Sequence, residues 1–155
     1  MKLTGATGFA ADTDDVSTTA KHPLGTIAYD AYGNKYKYML GVGSTVAGSA
    51  VSYDEAYATA LLAANAIGGV AVAMAAIVAS RYGWYCVDGY CTVATHGAVA
   101  DNKPLYIGAT AGTVDDAAVA GDCIFGAVSR SAAGGAGTIT AQLFSPYVVD
   151  GAYLT

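Results

Sequence analysis

The chain reads as a mainly β protein, either a small antiparallel β-barrel or a sandwich. Three observations point there. Runs rich in strand formers recur at roughly ten-residue spacing with glycine turns between them. Several runs alternate large and small, or polar and aromatic, side chains with the two-residue period of a strand. Gly (20) and Tyr (12) are abundant while charged residues make up only 12%, a composition that suits a β-rich chain partly covered by other subunits.

Residues 1–23, "MKLTGATGFAADTDDVSTTAKHP", lack sustained periodicity and end in Pro23. They predict an extended N-terminal arm that orders against a partner, with residues 24–155 forming a single β-rich domain. The opening has one Lys and no apolar core, so no signal peptide is visible and synthesis in a cytoplasm is expected. At 155 residues the chain is long enough for a single core that buries roughly 70% of its unfolded surface.

The first strong element is "LGTIAYDAYGNKYKYMLG". "DAYGN" supplies turn residues, and Lys35 and Lys37 alternate with Tyr36 and Tyr38, giving a hairpin with one polar and one aromatic face. "GVGSTVAGSAVSYD" turns into another short strand. "DEAYATALLAAN" (54–65) fits a short helix, with acidic residues at its start, and fits a strand and loop equally well.

From Ala56 to Ser80 no residue is charged, a span long enough to cross a bilayer. The stretch is mostly alanine, is interrupted by Asn65 and Gly68–Gly69, and has little positive charge at its flanks, so no membrane span is expected. "GVAVAMA" instead reads as a strand, with Val70, Val72 and Met74 on one face and Ala71, Ala73 and Ala75 on the other. Val70, Val72, Met74 and Trp84 are expected to be buried in protein.

"RYGWYCVDGYCTVATHG" predicts a second hairpin turning at Asp88–Gly89, because a type I′ turn needs positive φ at both centres. That pairing sets Cys86 opposite Cys91 and puts Trp84, Cys86, Cys91 and Val93 on one buried face. A disulfide fits such a pair, but two reduced core thiols are the expectation in a cytoplasm-made protein. "KPLYIG", "CIFGAVS" and "TITAQLF" complete the strands.

No constellation predicts catalysis or a cofactor. "DTDD" (Asp12, Asp14, Asp15) lacks the glycine and the bidentate glutamate of a calcium loop, and "GVGSTVAG" lacks the Lys-Ser/Thr of a phosphate loop. His22 and His96 stand alone, and the cysteine spacing is poor for zinc. With net charge −5 and seven scattered basic residues, there is no electrostatic footprint for nucleic acid.

The order of phrases from Leu24 onward resembles the small β-barrel decoration, or cement, proteins of tailed-bacteriophage heads. The residues that carry this are "GVAVA" (69–73), "YGWYCVDG" (82–89), "KPLY" (103–106), "IFGAV" (124–128) and "LFSP" (143–146). The resemblance implies a virion structural protein on the outer surface of the capsid. It would bind the major capsid protein, commonly as a homotrimer, and strengthen contacts between capsomers. Phe9, Val16, Leu24, Tyr36, Tyr38 and Tyr147 are the residues expected to contact capsid or subunit. The alternative is a host- or carbohydrate-binding adhesin domain in which Tyr36, Tyr38 and Trp84 stack on sugar rings.

Overall fold

The computed structural model describes residues 1–5 and 10–150. Among them there are twelve strands and no helix, so the mainly β expectation holds. The strands are β1 (Lys2–Gly5), β2 (Ala10–Asp12), β3 (Ile27–Tyr29), β4 (Lys35–Leu40), β5 (Ala50–Tyr53) and β6 (Thr59–Leu61). They continue as β7 (Gly68–Ala73), β8 (Tyr82–Thr95), β9 (Pro104–Ile107), β10 (Val114–Asp115), β11 (Cys123–Ser129) and β12 (Gly137–Val148). They form one sheet in the order β2-β1-β3-β4-β8-β10-β9-β11-β12-β7-β5-β6, with β8 also paired to β12 and β7. The sheet is not a closed barrel, since β2 and β6 remain as edges.

The two long strands organise the rest. The first half of β8 lies between β4 and β7, and its second half pairs with β12 from Thr95↔Gly137 to Asp88↔Phe144. The far end of β12 leaves β8 and pairs with β7 through Tyr147↔Gly69 and Val148↔Gly68. Strands that pass between layers in this way need bends, and bulges supply them.

The Asp88–Gly89 dipeptide makes such a bend rather than the expected hairpin, and β8 runs straight through it. Lys35 pairs with Asp88 while the next residue, Tyr36, pairs with Cys86, so Val87 is the extra residue of a bulge. Gly89 has φ +98°, and a Cβ there would collide with the Asn34 side chain. The same tolerance of positive φ that favours this dipeptide in turns serves the bulge. Cys86 therefore has Tyr36 and Val72 as register partners and Cys91 has Ala141, so the two are not cross-strand partners. The extra residue also inverts the strand's phase. Trp84 and Cys86 before it and Cys91 and Val93 after it all reach one core, as expected, by a different route.

The main core gathers Trp84, Tyr36, Tyr38, Val70, Val72, Leu105, Ile124, Ile139 and Leu143. A second, shallower core on the other side of β4, β8, β7 and β5 holds Met39, Val51, Ala71, Ala73, Ile77, Tyr85 and Val87. β7 thus feeds both cores, with valines inward to the main one and alanines to the shallow one. This is why the stretch is alanine-rich without being a membrane anchor. Met74 is half-buried against the main core. No helix of the described residues is long and apolar enough to cross a membrane.

The segment 54–65, which suited a short helix or a strand and loop equally, takes the second form: a turn, then β6 and a loop. Asp54 Oδ1 accepts the backbone N–H groups of Ala56 and Ala58, both at 3.0 Å, closing a tight turn, and Tyr57 sits at φ +59°. Positive φ at a non-glycine residue is incompatible with helix continuation. The expectation of a free N-terminal arm is corrected for the described residues 1–5 and 10–23. β1 pairs with β3 through Thr4↔Tyr29 and Gly5↔Ala28, and Leu3 lies in the main core. Farther along, the Ser17 hydroxyl lies 3.0 Å from the Tyr38 hydroxyl, and the His22 ring packs edge-on to Tyr38 with centroids 5.0 Å apart.

Candidate functional site

Burial separates the expected contact residues. Tyr36 and Tyr38 are 2% and 1% exposed and Trp84 0%, so these three rings are core and cannot meet a partner or a sugar. The alternation "KYKY" was correct in phase, but its aromatic face points inward. Leu24 is half-buried against the main core, whereas Val16 and Tyr147 are exposed. Phe9 lies outside the described residues.

Besides Tyr147, the outer surface presents aromatic residues that the sequence did not single out. Register places Tyr29, Lys35, Asp88 and Phe144 in one row across β3, β4, β8 and β12. Directly paired residues share a sheet face, so this row faces outward together. Next to it Gln142 pairs with Tyr90, and beyond the bend of β12 Tyr147 stacks on Phe125 with centroids 5.3 Å apart. On β12 the inward phase is Ile139, Ala141 and Leu143, leaving Thr138, Thr140, Gln142 and Phe144 outward. An aromatic in the outward phase of "TITAQLF" was the available signal.

Tyr32, at the tip of the β3–β4 connection, extends the face. The connection is held by a buried carboxylate. Asp30 Oδ1 accepts the backbone N–H groups of Tyr32 (2.8 Å) and Asn34 (3.1 Å), and Oδ2 accepts the Asn34 side-chain amide and the Tyr36 hydroxyl, both at 2.8 Å. Asn34 Oδ1 then accepts the Tyr90 backbone N–H at 2.9 Å, tying the loop to β8 just past the bulge. Burial pushes the Asp30 carboxyl up, but the four donors outweigh it and hold it below its ordinary value. The Tyr36 phenol is pushed far up, first by burial and then by its bond to Asp30, so it stays a donor.

Tyr29, Tyr32, Tyr90, Phe144 and Tyr147 are between 45% and 82% exposed. At about 200 Å² per residue they leave on the order of 550 Å² of aromatic surface in water. This area is spread over rings set among Lys35, Asp88 and Gln142, the mixture of aromatic and polar side chains found at protein interfaces. Nearby, Lys37 Nζ sits 5.1 and 5.5 Å from the ring centroids of Tyr53 and Tyr57, which cap the shallow core.

Acid–base and metal chemistry have little to work with on this side. Among the described residues no group of three His, Cys, Asp or Glu side chains is placed to hold a metal ion. The Cys91 thiol is pushed well up, by its hydrogen bond to Cys86 and then by burial, and is held away from the thiolate form that reacts. Comparison with protein families, with curated proteins and with solved structures finds no match to this chain.

Proposed function

We propose that this protein is a structural component of a tailed-bacteriophage virion. It binds the major capsid protein on the outer surface of the head as a homotrimer and stabilises contacts between capsomers. The ordered phrases from Leu24 to Pro146 support the family reading, and the observation that carries a docking role is the exposed aromatic face of Tyr29, Tyr32, Tyr90, Phe144 and Tyr147. Aromatic rings give large contact area at low entropic cost and are enriched at interfaces. Linking three subunits multiplies modest contacts into high avidity.

The test mixes purified protein with heads stripped of it, from the phage that encodes the chain, and measures occupancy. Truncating residues 1–23 would be a poor probe, because Leu3 and His22 pack on the domain. Tyr90→Asp with Phe144→Asp changes two exposed side chains and should lower occupancy strongly while leaving the unfolding midpoint in place. Wild-type protein that fails to bind the heads, or that stays a monomer of 15.5 kDa at high concentration, would overturn the proposal.

A further inference from the structure

A cleft of about 430 Å³ lies between the segment after β6, the β9–β10 turn and the β10–β11 connection. Its volume falls in the range of about 300–1,000 Å³ typical of small-molecule sites. Ala63, Ala64, Ala109, Ala111 and Val119 form an exposed rim, and Ile107, Gly108 and Asp122 form the buried floor. Backbone hydrogen bonds fix the walls. Gly112 donates to the Leu62 carbonyl (2.8 Å), Ile107 to the Asp122 carbonyl (2.9 Å) and Asp122 to the Val119 carbonyl (3.1 Å).

The unusual member is Asp122, 8% exposed and, among the described residues, the only charged one lining the cleft. Its Oδ1 accepts one long hydrogen bond, from the Asn65 backbone N–H at 3.4 Å, and its Oδ2 has no hydrogen-bond partner among the described residues. Compare Asp30, equally buried, whose two oxygens take four donors. With no donor from the described residues on it and not itself among the fully buried atoms, Oδ2 is reachable from the cleft and is the acceptor an entering group would meet. An external cation that donates hydrogen bonds would pair with it. The net charge of −5 favours its approach.

We propose that this cleft binds a primary alkylammonium group. The ammonium donates to Asp122 Oδ2, and the carbon chain lies against Ile107, Val119 and the alanines of the rim. A primary ammonium has three donors, while a quaternary one has none. The site should therefore prefer the primary amine, and a neutral alcohol of the same length should bind weakly. A free small amine and a lysine side chain of a partner share this chemistry, and the probes distinguish them. The proposal stands apart from the capsid reading and does not require it.

The experiment follows the alanine methyl signals of Ala63, Ala64, Ala109 and Ala111 by NMR during titration of the full chain. The probes are n-butylammonium, n-butanol, n-butyltrimethylammonium and Nα-acetyl-lysine methylamide. Saturable shifts are expected with butylammonium, at an affinity about tenfold or more above butanol, as for one charge-assisted hydrogen bond. Asp122→Asn should reduce butylammonium to the butanol level. Ala109→Leu, at the exposed rim, should block both ligands with the fold intact. Comparable binding of the lysine derivative supports a protein lysine as the source, and binding of butylammonium alone supports a free amine. The proposal is overturned by the absence of saturable shifts, by wild-type affinity in folded Asp122→Asn, or by equal binding of the quaternary ion.

Discussion

Tyr36→Phe removes a single oxygen and leaves the ring in the core, so it isolates the bond that the Tyr36 hydroxyl donates to Asp30 at 2.8 Å. A hydrogen bond to a charged group is worth about 1.5–3 kcal/mol. Asp30 keeps three other donors in the variant, which places the expected loss near the lower end, about 1.5–2 kcal/mol. For a chain of this length that corresponds to a fall of about 3–8 °C in Tm. The single tryptophan, Trp84, is fully buried beside Tyr38 and reports unfolding by fluorescence in a urea titration. Combining Tyr36→Phe with Asp30→Asn closes a double-mutant cycle, with an expected coupling of about 1 kcal/mol or more. A Tyr36→Phe protein within about 0.3 kcal/mol of wild type, or strictly additive changes, would refute the view that this carboxylate organises the loop.

Acid should weaken the fold in two stages. His22 is held below its ordinary value of 6.5, first by burial and then by Lys21, against the opposing pull of Asp15. Its contribution is full above pH 6.5 and declines as pH falls toward the lower folded value, so the unfolding midpoint should begin to drop there and His22→Phe should flatten that slope. Asp30 is depressed from 3.8, so its contribution is full above that value and is lost as pH falls through the lower folded one. Thiol reactivity gives a separate check. Cys86 and Cys91 are buried and Cys123 is half-buried, so a thiol reagent should modify one cysteine in native protein and three in urea. Cys123→Ser should abolish the native reaction, and rapid native modification of Cys91 would contradict its placement.

Local patterns were legible where one residue pair decided one face. "KYKY" and "GVAVAMA" gave the right division of side chains between two faces, because strand alternation is set by the backbone itself, but for "KYKY" the face taken as a contact surface is the inward one. The β-class followed from the same patterns repeated along the chain. What could not be read was the partner of each strand. Asp88–Gly89 permits positive φ, and whether that produces a hairpin or a bulge depends on whether β4, β7 and β12 are available to pair on either side. For the segment 54–65, Asp54 at the start suits a helix N-terminus and a closed turn alike, and only the closed turn places Tyr57 at positive φ. The outward aromatics were missed for a related reason. Tyr29, Tyr90 and Phe144 lie far apart in sequence and become one surface only through register.

The sharing of β8 and β12 between layers has a consequence for how the molecule can come apart. β8 spans 14 residues and β12 spans 12, and each contributes to pairings on both sides of its bend. Neither layer can detach while the other keeps its hydrogen bonds, because the same covalent strand threads both. The slowest-exchanging amides along the whole length of β8 should therefore share one opening free energy, that of global unfolding. Such a molecule is expected to open as one unit rather than strand by strand.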